Sequence, residues 1–343
     1  MGARPSSFDL NQLPWSTPRV CVIGDVMVDA YMWGHIHRMS PEAPVPVVEI
    51  ERHEQRVGGA GNVVKNLAAL GAEVDVISVV GKDVAGTTLH SLLSSMCTAH
   101  LVIDESRPTT VKTRVISGDD HVVRVDEEST QEVDSSVSAQ AFDIFKNLVE
   151  SDKSPQVVVL EDYDKGVMTL SFIEKVLELC QEAGIPVAVD PKFRHFSDYA
   201  NVALFKPNLK ELNAGLSLDR PVHPDQKDAM THAVETLMER LQCERVFVTL
   251  GEHGAWIHAP NENVHHVHIK AIPRRVVDVS GAGDTVIATT SLMLCSGADA
   301  TSIAAVSNLA GGWVCERVGV VPISREALEA ELPRLQHLET SEL

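Results

Sequence analysis

No CxxC pair, no GxxxxGK[ST] phosphate loop and no intact G-x-G-x-x-G occurs in this chain, nor any apolar run near the ~18 residues a membrane span needs. Each absence removes a class. Without CxxC, Cys21, Cys97, Cys180, Cys243, Cys295 and Cys315 are scattered, mostly inside apolar runs, as reduced core cysteines are in a cytoplasmic protein. The N-terminus, MGARPSSFDLNQLPWSTPR, has no apolar stretch of a signal peptide, so residues 1–18 read as a loosely ordered leader. Positive charge is short as well: Lys plus Arg is 29 against 48 for Asp plus Glu, a net charge of −19 that repels nucleic acid and anionic membranes. A cluster of basic residues in such a chain is therefore informative. No internal repeat, low-complexity tract or interdomain linker interrupts the 343 residues. The expectation is one large domain over 19–335, followed by a tail at 336–343.

Short Val-rich runs alternate with longer amphipathic segments from Glu73 onward. Val74–Val80, Val157–Leu160, Val187–Val189, Val202–Phe205 and Val246–Leu250 read as strands, and stretches such as Ser171–Ala183 and Asp225–Leu241 as helices. That alternation implies right-handed crossovers and a mainly parallel sheet covered by helices on both faces. Arg19–Tyr31 opens as a buried strand and stops at Gly24-Asp25, placing Asp25 and Asp29 at a carboxyl edge where hydroxyl-rich ligands bind. Trp33–Ile50, broken by Pro41, Pro44 and Pro46, and Thr109–Asp126, which alternates around a GDD turn, read as a small accessory sheet. Lid segments are thus expected at about 32–50 and 109–126, with Lys112 and Arg114 on one strand face and Arg124 across the hairpin.

Gly58–Asn62 offers bare backbone and one amide, suited to hydroxyls, whereas Val64 stands where a dinucleotide fingerprint would need its third glycine. Other strand ends are polar. They bring acids for metal or hydroxyls (Glu161, Asp162, Asp190, Glu211), an amide (Asn208), bases for phosphate (Lys165, Lys192) and glycines for a flat nucleotide contact (Gly251, Gly254). The chain is organised around Asp278–Val286, DVSGAGDTV. Gly281 and Gly283 permit a tight turn into a helix whose unpaired N–H groups and dipole suit a phosphate. Asp284 sits in that first turn, a carboxylate beside a site made for anions, which fits a base that removes a proton. The histidines His253, His258, His265, His266 and His268 lack a third ligand on a shared face, so zinc is not expected.

These residues resemble the ribokinase-like (PfkB-type) carbohydrate kinases from Arg19 to about Ser324. GGAGN at Gly58–Asn62, NLKE at Asn208–Glu211, TLGEHG at Thr249–Gly254 and DVSGAGD at Asp278–Asp284 follow that family's order and spacing. The resemblance implies a three-layer α/β/α domain with a β-sheet lid, and the use of ATP with Mg²⁺ and a possible monovalent cation. It implies Asp284 as base and Gly281, Ala282 and Gly283 as the anion hole. Asn208 and Glu211 would organise magnesium through water, Thr249 and Gly251 would line the nucleotide, and Asp25, Asp29, Gly58, Gly59 and Asn62 would hold the sugar. Ser280 stands where the family often has threonine. HRMSPEAPVPVVE at His37–Glu49, VKTRVIS at Val111–Ser117 and EDYDKGV at Glu161–Val167 are similar to kinases of D-glycero-D-manno-heptose 7-phosphate, in a form without a fused nucleotidyltransferase. Lys112, Arg114, Arg124, Lys192 and Arg38 are then candidates for the sugar phosphate, and Asp162 and Lys165 for the substrate side. The rival expectations are a kinase of another sugar or sugar phosphate, and a non-catalytic sugar sensor on the same fold. Exposed lid strands also lead one to expect a homodimer.

Overall fold

Strands covered on both faces need apolar side chains at every position, and the chain supplies them where the sheet is deepest. A computed structural model describes residues 17–118, 120–262, 264–337 and 340–342, so nearly all of the expected leader lies outside the described residues. β1 (Arg19–Gly24) is followed, after Asp25 alone, by β2 (Val26–Met39) and β3 (Pro46–Gly59), which leave the body as a long hairpin. α1 (Ala60–Ala69), β4 (Glu73–Gly81), α2 (Val84–Ser94) and β5 (Thr98–Asp104) return to it, and β6 (Val111–Ser117) and β7 (Asp120–Glu127) leave it again. The chain then winds through α3 (Ser135–Val149), β8 (Val157–Glu161), α4 (Leu170–Ala183), β9 (Val187–Asp190), β10 (Leu204–Phe205), α5 (Leu209–Gly215), α6 (Lys227–Leu241) and β11 (Val246–Thr249). It closes with β12 (Ala255–Ala259), β13 (Val264–Ile269), α7 (Ala282–Cys295), α8 (Ala300–Val314), α9 (Arg325–Glu331) and β14 (Thr340–Glu342).

Among the described residues the main sheet has the order β14-β13-β12-β11-β10-β9-β8-β1-β4-β5. Strands β5 to β11 are parallel, while β12, β13 and β14 continue the sheet antiparallel, a reversal that the Val-rich runs alone did not disclose. Alternate residues of one strand feed opposite cores. Val20 and Val22 join Val63, Leu67, Ile287 and Ile303 of α1, α7 and α8, whereas Cys21 and Ile23 join Phe145, Phe172 and Met230 of α3, α4 and α6. This is a three-layer α/β/α body with one core on each face of the sheet.

The second sheet has the order β3-β2-β6-β7, with β2 and β6 parallel and both outer pairs antiparallel. It starts closer to the body than the proline pattern implied: β2 begins at Val26 and β3 continues to Gly59, so Asp29 lies inside a lid strand rather than in a loop after β1. The apolar start of β2 imitates a continuation of the buried strand before it.

β12 and β13 bring the rings of His258 and His266 into a parallel stack, 3.9 Å between centroids. Trp256 Nε1 donates to His266 Nδ1 at 3.2 Å, and the main-chain N–H of His266 points at His258 Nδ1 at 3.4 Å. Both partners can only donate, so each Nδ1 keeps its lone pair and each ring stays neutral. Burial lowers both groups, His258 to about 4, with the Glu235 carboxylate opposing the shift in each. A histidine depressed by folding contributes stability that is complete above its unfolded value near ~6.5 and is lost as pH falls towards the folded value. Denaturant midpoints should therefore drop between pH 6.5 and about 4 more steeply in the wild type than in His258→Gln. Parallel pH profiles for the two would contradict this origin.

Candidate active site

The carboxyl ends of β8, β9 and β10 converge on the first turn of α7. Gly281 caps that helix at φ 77° with no side-chain hydrogen bond, and a Cβ there would stand 2.7 Å from Val320 Cγ1. The N–H groups of Gly283 and Asp284 lie in the first turn, where the helix itself provides no acceptor. The N–H of Ala282, expected to join them, turns instead to the Val279 carbonyl at 3.3 Å, which leaves Gly283 and Asp284 as the donors suited to an anion cradle. Asp284 is buried beside it. The Tyr163 hydroxyl donates to Asp284 Oδ1 at 2.8 Å, and the Asn62 side chain adds a second hydrogen bond. Burial raises the Asp284 pKa and Asp190 adds to the rise, against the two hydrogen bonds and the Lys206 charge.

Three further charges surround this base. Lys206 and Asp190, both buried, pair at 2.8 Å. Asp190 Oδ2 also lies 3.9 Å from the place a Cβ on Gly283 would occupy, so it borders the cradle. Glu161, 1% exposed, is pushed well above the carboxylate range by burial, then by Asp190 and Asp284. Glu161 Oε2 and Asn62 Oδ1 are buried without a hydrogen-bond partner among the described residues. Such orphaned atoms are what a site made for a polar ligand leaves behind.

Asn208 and Glu211 form a capping box at the start of α5: each side chain accepts from the other's main-chain N–H at 2.9 Å. The second oxygen of Glu211 takes the Lys192 ammonium at 2.7 Å. Both carboxylate oxygens are thus engaged, and among the described residues no three His, Cys, Asp or Glu side chains form a metal cage. This donor set, with Asn208 and Glu211 already hydrogen-bonded, would hold a magnesium ion through water, where the ion would neutralise phosphate charge. Thr249 bridges to Asn208, tying β11 to this corner, and Gly251 at φ 61° faces open space. Gly254 has a different reason to be glycine. A Cβ there would lie 2.0 Å from the Ile269 carbonyl oxygen, so packing alone requires it.

On the opposite side, Asp25 accepts from the main-chain N–H groups of Tyr163, Lys165 and Val167 at 2.9, 3.0 and 3.2 Å. It holds a loop, and most of its capacity for sugar hydroxyls is spent. Asp29 pairs with Arg114 at 2.6 Å and lies so close to Gly58 that a Cβ there would meet Asp29 Oδ2 at 2.4 Å. Gly59, at φ 58°, brings its backbone against the Asp25 carbonyl before α1 begins at Ala60. Asp162 is turned away from the site: its carboxylate accepts from the Tyr199 hydroxyl at 2.8 Å, and burial raises it to about 6. Arg124 is exposed and forks onto Asp126 of its own strand, and Arg38 lies exposed far along β2, so neither faces Asp284. Lys165 pairs with Glu128 at 2.7 Å. Lys112 makes no ion pair among the described residues, and burial and the Lys165 charge lower its pKa.

Tyr163, Lys206 and Asn66 are the residues that pattern reading passed over. Asn66 Oδ1 accepts from Thr285 Oγ1 at 3.1 Å and from the Ile323 N–H at 3.2 Å, locking α1, α7 and the loop before α9 together. Nothing in isolated asparagines or in the acid-rich EDYDKG stretch distinguishes Asn66 and Tyr163, because their roles depend on contacts 121 to 257 residues away in sequence. The loop role of Asp25 is directly testable. Asp25→Asn leaves at least one buried N–H without its acceptor and should destabilise the fold by about 1–3 kcal/mol in denaturant titrations. Unchanged stability would show that the loop holds itself.

Comparison with known proteins agrees with this geometry. The pfkB family carbohydrate kinase pattern matches residues 17–327. The bifunctional protein HldE of Desulfatibacillum aliphaticivorans is 40% identical over 95% of this chain and 65% of its own length. That of Caulobacter vibrioides is 39% identical over 91% and 62%, so the chain spans a little under two thirds of either relative. In solved structures the same fold appears in Escherichia coli phosphofructokinase-2 in complex with potassium, with a TM-score of 0.76 and 20% identity over 93% of this chain and 99% of that one. Arabidopsis thaliana ribokinase complexed with ribose and ATP has a TM-score of 0.67 and 17% identity over 92% and 99%. With a ribokinase-like body, a glycine-capped anion cradle and a buried carboxylate beside it, the chain belongs to the pfkB family of carbohydrate kinases.

Proposed function

We infer that this chain uses ATP to phosphorylate D-glycero-β-D-manno-heptose 7-phosphate at its anomeric hydroxyl, giving the 1,7-bisphosphate required for ADP-heptose and the lipopolysaccharide core. The observation that carries the phosphorylated substrate is Lys112. It is a half-buried ammonium without an ion pair among the described residues, in register with Asp29 of β2, and the charges of Glu128 and Asp126 do not offset burial and the nearby Lys165, so an added anion would stabilise it. The heptose assignment rests on the lid and EDYDKGV motifs and accords with the HldE relatives.

Asp284 takes the proton of the anomeric hydroxyl. The oxygen attacks the γ-phosphorus of ATP in line, the bond to the β-phosphate oxygen breaks, and ADP leaves with that electron pair. N–H groups of Gly283 and Asp284 stabilise charge on the moving phosphoryl group. Bound magnesium supplies neutralisation of the polyphosphate, while Lys192 and Glu211 fix the nucleotide side. Asn62 Oδ1 and Glu161 Oε2 are placed to meet hydroxyls of the sugar or water. Use of a monovalent cation is suggested by the potassium complex of the E. coli neighbour. The lid supports a homodimer: Met32, Val115 and Val123 form one row and Ala30, Thr113 and Val125 the next, with both outer valines about half exposed. Six free cysteines accord with a cytoplasmic site of action.

The test is an assay with Mg·ATP and heptose 7-phosphate, unphosphorylated heptose or fructose phosphates, following ADP and locating the new phosphate by phosphorus NMR. A new anomeric phosphate on heptose 7-phosphate alone is expected. Turnover only with another sugar would discard the heptose assignment, and none at all would favour a sensor. Asp284→Asn should lower kcat by ~10²- to 10⁴-fold while ATP still binds in calorimetry. Lys112→Ala should raise KM for the phosphorylated sugar about tenfold or more and leave that for the unphosphorylated analogue unchanged. Equal losses on both sugars would remove Lys112 from phosphate recognition.

A further inference from the structure

The loop Asp162–Val167 joins three parts of the molecule that the kinase chemistry alone does not connect. Its main chain is pinned at Tyr163, Lys165 and Val167 by the carboxylate of Asp25. Its one aromatic side chain crosses to α7, where the phenol donates to Asp284 Oδ1 at 2.8 Å. The Lys192 ammonium stands 5.1 Å over the same ring, and Lys192 is bound to Glu211 of the capping box. Tyr163 therefore touches both Asp284 and the lysine that borders the nucleotide corner.

We propose that Tyr163 is a positioning residue that aims Asp284 at the substrate hydroxyl and keeps its carboxylate ionised inside a buried acidic cluster. The need follows from what faces Asp284. Asp190 from β9 opposes its charge, Lys206 after β10 favours it, and Asn62 from α1 adds one hydrogen bond, while Glu161 from β8 is itself driven to the neutral form by burial, Asp190 and Asp284. Full burial and the Asp190 carboxylate push Asp284 toward a neutral acid, which cannot accept a proton. A hydroxyl donor restores the charged form without adding a cation that would compete for the phosphoryl group. Burial and the adjoining acids keep the phenol itself protonated, so it remains a donor across the working pH range. The geometry also fixes the attack. With Oδ1 occupied by Tyr163, the second oxygen of Asp284 is the one presented to the hydroxyl.

This rests on the kinase reading, and the experiment separates the two. In the full chain, Tyr163→Phe removes only the hydroxyl. The expected result is a kcat about tenfold or more lower and an acid limb of the kcat/KM profile moved up by about one pH unit. KM for ATP should stay unchanged. Replacement of Tyr163 by 3,5-difluorotyrosine keeps the ring and strengthens the donor, and should move the acid limb the other way. Wild-type pH profiles for both variants, or a loss of kcat with the acid limb unmoved, would overturn the proposal and reduce Tyr163 to packing. Full turnover by Asp284→Asn would instead overturn the base itself, and with it any residue that tunes it.

Discussion

A negative charge buried at the mouth of a site built for anions is the constraint on which this structure turns. Asp284 lies in the first turn of α7 beside N–H groups that suit phosphate, and two more carboxyl groups, Glu161 and Asp190, close around it. Burial and the neighbouring acids drive Glu161 to its neutral form. At Asp284 the fold opposes the same tendency with the Lys206 charge, 2.8 Å from Asp190, and with the hydroxyl of Tyr163. The parallel strands matter because their carboxyl ends deliver Glu161, Asp190 and Lys206 to one point, each from a different strand.

The lid is attached to this cluster rather than appended to the body. β2 starts one residue after β1 ends, and β3 runs through Gly58 and Gly59 directly into α1, whose Asn62 reaches Asp284. Lys65 of the same helix donates to the Val320 carbonyl at 3.0 Å, and Asp278 accepts from the Gly319 N–H at 2.9 Å. The lid, α1 and the loop covering Gly281 are thus directly connected. The Asp29–Arg114 pair joins β2 and β6 at the base of the lid.

Local motifs made the glycine turn and the buried acid after it legible. DVSGAGD states a glycine turn, a helix start and an acid within seven residues, and NLKE contains its own capping box. The parallel body was equally readable, since strands such as Val157–Glu161 are apolar at nearly every position. What stayed hidden depends on contacts between distant segments. Asp25 looks like a sugar ligand in sequence but spends its oxygens on a loop 138 to 142 residues away. Asp162 looks like its neighbours, yet strand alternation turns it to Tyr199 on the other side of the sheet. Gly254 sits in a nucleotide-like motif but is required by the Ile269 carbonyl. Tyr163, between two acids in EDYDKG, carried no periodic signal at all.

The most direct test is the charge of Asp284 in the folded protein. Infrared difference spectra between the wild type and Asp284→Asn, recorded at neutral pH with isotope-labelled aspartate, report whether that one group is a carboxylate or a carboxylic acid. The account predicts a carboxylate band that gives way to the protonated carbonyl band only on acidification. A protonated carbonyl already present at neutral pH would contradict it, because a neutral acid at the mouth of the cradle cannot take the proton on which the transfer depends.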